Sequence, residues 1–297
     1  MIEKAYAKIN LSLDVLSNRD DGYHNLETIM LPLELHDTLE ISLLKQSTDD
    51  FVTCDDFNLH IGKYNLCHKL IESARKKWGF SEHFRVHIHK NIFLQAGLGG
   101  GSADAAATLR GIIKLLKINA SKEELIELTS QIGSDVPWAI ENKPCVVKYK
   151  GEVLEPFEFN KKWYVILVKP ESGLSTQEIF NKLNQDGYKP MYKIDKIKES
   201  LVNDDINALK ENVFNILEGP AISILPEIQD IKNMLKNDGF DVVLMTGAGS
   251  TVFGLTKDYR LAKKALNKYD KKGFQVELTK FHWFINKKIH MRNHMDF

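Results

Sequence analysis

Residues 5–15 alternate with a period of two: Ala5, Ala7, Ile9, Leu11, Leu13 and Val15 lie on one side, Tyr6, Lys8, Asn10, Ser12 and Asp14 on the other. This predicts a strand with one apolar and one polar face. The turn Asp20-Asp21-Gly22 follows, then strand-like runs over Leu26–Leu35 and Thr38–Leu44. Asn65 to Trp78 predicts a helix and Phe84–Ile88 a strand. Leu109, Ile112, Ile113, Leu115 and Leu116 recur at helical spacing. Ser121-Lys122-Glu123-Glu124 is a capping box for a helix reaching Ile132, which Gly133-Ser134-Asp135-Val136-Pro137 breaks. Strands are expected at Cys145–Lys148, Trp163–Val168 and Asp241–Met245, and helices near 176–184, 195–202, 205–218, 227–237 and from Asp258. Strands and helices come in mixed runs without βαβ regularity, which predicts an α+β fold.

Length adds a domain expectation. A chain of 297 residues is long enough for two cores, and the connection from Pro156 to Lys162 divides it into 1–158 and 159–297. Apolar residues make up 43% and charged residues 27%, the balance of a soluble globular protein. The formal net charge is zero, which argues against nucleic acid or an anionic membrane as partner. Three unevenly spaced cysteines, Cys54, Cys67 and Cys145, fit a reducing cytosol better than a disulfide framework. There is no apolar leader at the N-terminus and no uninterrupted apolar run of spanning length, so a cytoplasmic location is expected. His87 and His89 share a strand face, but a zinc site needs more ligands than these two.

The chemistry concentrates in Ala96-Gly97-Leu98-Gly99-Gly100-Gly101-Ser102-Ala103-Asp104. Four glycines within five residues give a backbone able to take positive φ and expose its N–H groups. Strong helix formers follow at once, with Ser102 the candidate cap, so the loop would open a helix and offer an anion site. Leu98 and the periodic helix set the run apart from a flexible linker. It is neither G-x-x-x-x-G-K-[ST] nor G-x-G-x-x-G, because Ser102 stands where the third glycine is required. Other positions are ambiguous one at a time. Lys8 and Asn10 suit a water-facing strand side, Asp135 a turn or cap, Tyr23-His24 a hairpin tip, and Thr246–Thr251 a tight turn between strands.

Ala7-Lys8-Ile9-Asn10-Leu11, Asp21-Gly22-Tyr23-His24, Ala96–Asp104, Gly133–Pro137 and Thr246–Ser250, in this order, resemble the GHMP small-molecule kinases over nearly the whole chain. The resemblance implies a two-domain fold with the active site in the cleft between domains. It implies Lys8 and Asp135 as the catalytic pair. It also implies ATP bound along Phe93, Leu94, Gln95, Ala96, Gly97, Leu98, Gly99, Gly100, Gly101, Ser102 and Ala103, with Mg²⁺ and a possible contact to it at Ser102. Ala-Lys-Ile-Asn and Asp-Gly-Tyr-His point to the members whose acceptor is a cytidine-diphosphate methylerythritol, phosphorylated on its 2-hydroxyl in non-mevalonate isoprenoid (terpenoid) synthesis. Asn10, Tyr23, His24, Thr176 and Phe180 then match the acceptor side, with Tyr23 and Phe180 on either face of the cytosine, and Gly247 and Gly249 support the phosphate region. A monomer or weak homodimer is expected.

Three places depart from the family pattern. Phe93 replaces a proline before the loop, Tyr149 a glycine before Gly151-Glu152, and Met245-Thr246-Gly247-Ala248 a Ser-Gly-Ser-Gly run. They bear on loop geometry and ATP affinity more than on the reaction. Another GHMP kinase of homoserine or mevalonate type, or a catalytically silent nucleotide sensor, stands as the alternative. Asn286 to Phe297 reads as a tail.

Overall fold

The long strand β1 (Ile2–Asn18) pairs antiparallel with the longer β2 (His24–Leu44). The two runs expected at Leu26–Leu35 and Thr38–Leu44 are therefore one strand. The polar residues between them stay in the ladder because Asp37 is fully buried and its carboxylate accepts the N–H groups of Asn91 and Ile92 at 2.6 and 2.8 Å. One end of β2 pairs with β4 (His83–His89), which lies parallel to β3 (Phe51–Cys54). Its other end pairs with β5 (Cys145–Tyr149), which turns into β6 (Val153–Pro156). The helices of this half are α1 (Leu66–Trp78), α2 (Gly100–Leu116), α3 (Lys122–Ser130) and α4 (Val136–Glu141). The Ser121–Glu124 capping box opens α3 as its sequence predicts. This computed structural model describes residues 1–59 and 61–282, so the tail from Asn286 lies outside the described residues.

A second, antiparallel sheet has the order β10-β7-β9-β8, with β7 (Tyr164–Lys169), β8 (Val242–Met245), β9 (Val252–Thr256) and β10 (Gln275–Lys280). Its helices are α5 (Thr176–Asp186), α6 (Ile194–Val202), α7 (Ile206–Asn212), α8 (Glu218–Ile224), α9 (Glu227–Asn237) and α10 (Tyr259–Asp270). The helical pattern over 205–218 is broken at Val213–Leu217. Backbone there bonds to Leu13 of β1 on both sides, Leu13 N–H to Phe214 O and Ile216 N–H to Leu13 O, each 3.0 Å.

The apolar face of β1 is fully buried, and it is shared between the halves. Ala7, Ile9 and Leu11 pack in one cluster with Leu31 and Leu33 of β2, Val165 and Leu167 of β7, and Leu244, Phe253 and Leu255 of β8 and β9. Leu98 and Ala96 of the glycine loop join the same cluster. The loop is thus anchored where the two sheets meet.

Candidate active site

The polar face of β1 is not in water. Lys8, Asn10, Ser12 and Asp14 are all buried, and Lys8 and Asn10 line a cleft of about 890 Å³ between the two sheets. Irregularities in the β1–β2 register fall at Tyr6/Lys8 and Asn10/Ser12, on both sides of the pair, and such bulges re-aim side chains. Lys8 Nζ donates to Asn10 Oδ1 at 2.6 Å and lies 3.3 Å from Asp135 Oδ2. Asn10 Nδ2 donates to Thr28 Oγ1, and Thr28 Oγ1 donates to the Ser12 carbonyl. That chain turns the amide oxygen of Asn10 toward Lys8.

Asp135 occupies the N-cap position of α4 with φ −89° and ψ −9°, the bridge region in which many active-site residues sit. Its carboxylate makes no cap bond, and Pro137 lies within the first turn of α4. The side chain is 30% exposed and is left to pair with Lys8. Behind it, Gly151 at φ +117° comes so close to the Ser134 carbonyl that a Cβ would stand 2.0 Å from that oxygen. Tyr149, two residues earlier, holds φ +58°, a conformation that favours glycine.

Helix α2 starts earlier than expected. Gly99, with φ +72° and ψ +16°, is its N-cap, and Ser102 lies in the first turn instead of capping it. The left-handed conformation open to Gly99 starts the helix three residues sooner and leaves its end without a side-chain cap bond. First-turn N–H groups and the helix dipole therefore face the cleft, lined there by Gly99, Gly100, Gly101 and Ser102. The stem of Lys8 packs on Gly99, where a Cβ would meet Lys8 Cγ at 3.0 Å.

The loop is held from behind by the turn after β8. A Cβ on Gly97 would lie 2.2 Å from the Thr246 carbonyl. Thr246 Oγ1 accepts the Asn10 N–H at 2.9 Å, and Asn215 Nδ2 donates to the carbonyls of Met245 and Gly247. Gly247 lines the cleft, while Gly249 packs on Met245 and Leu174. In the segment that leads in, Phe93 packs against the core, Leu94 lines the cleft and Gln95 touches Gly173. Ala103 lies on the buried face of α2.

On the acceptor side, Thr176 opens α5 and lines the cleft with Phe180, one turn on. The ring beside Phe180 is that of His24, at 4.6 Å between centroids, and His24 Nε2 is 3.0 Å from Asn184 Oδ1. Tyr23 is half exposed, with Lys150 Nζ 3.4 Å above its ring. Phe180 therefore contacts His24, and Tyr23 lies under Lys150.

Several lining groups had no pattern in the sequence. Lys90 Nζ, just before the loop, donates to Asp37 and Asp104 at 2.7 Å each, and all three side chains are buried. Burial alone would lower the Lys90 pKa, but Asp104 and Asp37 together hold it above its ordinary value. Burial raises that of Asp104, against the pull of Lys90. Asn58, Tyr64 and Asn65 wall the cleft beside the glycine loop, and Lys169 lines its far side. A glycine motif closed by the acid Asp104 was the one hint that a cation must lie beneath it.

The GHMP kinases N terminal domain matches residues 65–143, and GHMP kinases C terminal matches 197–275. The 4-diphosphocytidyl-2-C-methyl-D-erythritol kinase of Caldicellulosiruptor saccharolyticus is 36% identical over 90% of this chain and 92% of its own length. That of Thermoanaerobacter pseudethanolicus is 38% identical over 88% and 89%. A crystal structure of 4-(cytidine 5'-diphospho)-2C-methyl-D-erythritol kinase superposes with a TM-score of 0.80 at 26% identity, covering 96% of this chain and 100% of that one. Homoserine kinase from Cytophaga hutchinsonii shares the fold, with a TM-score of 0.73 at 14% identity over 95% and 94%. The chain belongs to the GHMP kinases, and among them to the family of the 4-diphosphocytidyl-2-C-methyl-D-erythritol kinases.

Proposed function

We propose that the protein transfers the γ-phosphoryl group of ATP to the 2-hydroxyl of 4-diphosphocytidyl-2-C-methyl-D-erythritol, a step of non-mevalonate isoprenoid synthesis. The observation that carries this reading is the Lys8–Asp135 pair, 3.3 Å apart, in the same cleft as the uncapped start of α2. Phosphoryl transfer needs positioning and charge stabilisation more than covalent help. In this reading Asp135 accepts the hydroxyl proton, while Lys8, steadied by Asn10, orients that hydroxyl and keeps the carboxylate ionised. The N–H groups of the glycine loop cradle the phosphates, and the wall of Asn58, Tyr64 and Asn65 takes the adenine. His24, Phe180 and Tyr23 hold the cytosine, with Thr176 beside them.

No group of three or more acidic, histidine or cysteine side chains among the described residues could hold a metal ion. A Mg²⁺ ion fits here as a passenger on the triphosphate, with Ser102 as its protein contact, because Mg²⁺ keeps several waters and takes few protein ligands. When bound it would neutralise phosphate charge. We further propose a cytoplasmic protein, monomeric or weakly dimeric, without nucleic-acid or membrane partners. No helix among the described residues is long and apolar enough to cross a membrane.

The test is phosphate transfer from ATP to a panel of acceptors: the cytidine-diphosphate compound, homoserine, galactose and mevalonate. The cytidine compound should be turned over most efficiently, and methylerythritol phosphate without the cytidine should be a poor substrate. Faster turnover of homoserine or mevalonate would place the chain in another branch of the superfamily. No transfer to any acceptor would favour a nucleotide sensor.

A further inference from the structure

Lys169 ends β7, is 3% exposed and lines the cleft. Residues of β7 alternate between two cores: Ile166 and Val168 face the helices of the second half, while Val165 and Leu167 face the cluster that contains Ala96 and Leu98. The same alternation turns Lys169 toward the glycine loop. The loop that follows crosses the same gap, with Gly173 against Gln95, Ser172 O accepting from Ser250 Oγ, and then Ser175 capping α5.

The other buried lysines each have a carboxylate: Lys8 has Asp135, Lys90 has Asp37 and Asp104, and Lys232 has Glu218. Lys169 forms no ion pair among the described residues. Its ammonium donates only to the carbonyls of Pro170 and Glu171, at 3.0 and 3.2 Å, which leaves one N–H over. Burial lowers its pKa, with Glu171 opposing. A buried ammonium without a counter-charge is costly, and an anion in contact with it removes that cost.

We propose that Lys169 supplies the counter-charge for a phosphate group of a nucleotide held in the cleft, either the diphosphate of the acceptor or the phosphates of the donor. The acceptor arm rests on the function proposed above, and the donor arm on ATP binding alone. Lys169 would add to k(cat) only through placement, so it is a positioning residue.

Calorimetric titrations of the full-length protein with cytidine, CDP, adenosine and ADP read what the phosphates add on each side. Charge-assisted hydrogen bonds contribute enough that Lys169→Met should shrink one margin, CDP over cytidine or ADP over adenosine, by about ten- to 150-fold. The nucleosides themselves should bind as before, and Lys169→Arg should keep most of the margin. A shrunken CDP margin assigns the acceptor, and a shrunken ADP margin the donor. If Lys169 only ties down the loop 170–173, nucleosides weaken with nucleotides and both margins stay within twofold, which overturns the proposal. Should Lys169→Met not fold, Lys169→Gln carries the same comparison, since it is uncharged yet still able to bond to the two carbonyls. Absence of phosphate transfer to the cytidine compound would remove the proposed reaction but leave the margins readable.

Discussion

Asp135 illustrates why residue identity alone does not reveal a role. In sequence it sits where a cap is expected, and it takes the N-cap position, yet its carboxylate makes no cap bond and meets Lys8 instead. If it is the base, Asp135→Asn should lower kcat by about 10²–10⁴-fold, the usual contribution of general-base catalysis, while calorimetry shows ATP and acceptor still bound. Lys8→Met should do similar damage, and the double variant far less than the product of the two. Near-normal turnover of Asp135→Asn would end the assignment. Alternation showed which side of β1 Lys8 occupies, but period two cannot show what covers that side, and here it is the glycine loop, Asp135 and the turn after β8. Thiol chemistry gives a check on burial: Cys67 and Cys145 are buried and their pKa values are pushed up to about 12. At pH 8 iodoacetamide should leave both unmodified in the folded protein and label them quickly in urea, read by mass spectrometry. Rapid labelling without denaturant would mean that α1 and β5 open readily.

Among the elements, those with long periodic patterns were legible: β1, α1, α3 with its capping box, α9 and α10. Of the short strands, β4, β5, β7 and β8 lie where they are expected, whereas β3, β6 and β10 were not marked out and β9 only by the turn before it. In β9 all five residues are buried and in β3 only four residues pair, so neither offers a period to read. The start of α2 was misplaced because a side-chain cap is visible in a sequence and a left-handed glycine cap is not. Gly97 tests the element directly. Gly97→Ala sets a positive φ and a 2.2 Å backbone clash against one methyl group. It should lower Tm and weaken ATP binding together. Gly22 has a positive φ and open space around it, so Gly22→Ala should lose only the conformational part, about 1 kcal/mol, and keep ATP affinity. Equal ATP affinities in the two variants would show that the seam between loop and turn does not shape the phosphate site.

At the scale of the whole molecule, the two sheets share the cluster around Ala7, Ile9 and Leu11, so neither half buries its apolar face alone. We expect one cooperative urea transition, with tryptophan fluorescence and far-ultraviolet circular dichroism coinciding, and a fragment of residues 1–158 that binds hydrophobic dyes. Two separated transitions would show independent halves. The sequence placed a connection near Pro156–Lys162 but could not show this sharing, since a strand's apolar face does not name its partner. The contact between Gly97 and the Thr246 carbonyl has a consequence for inhibition. Main-chain groups there cannot be altered by changing a side chain, and a substitution at Gly97 itself meets backbone. A compound that draws its affinity from the peptide groups of this seam leaves the organism few routes to resistance. One that leans on the Lys150 side chain over the Tyr23 ring is escaped by a single substitution.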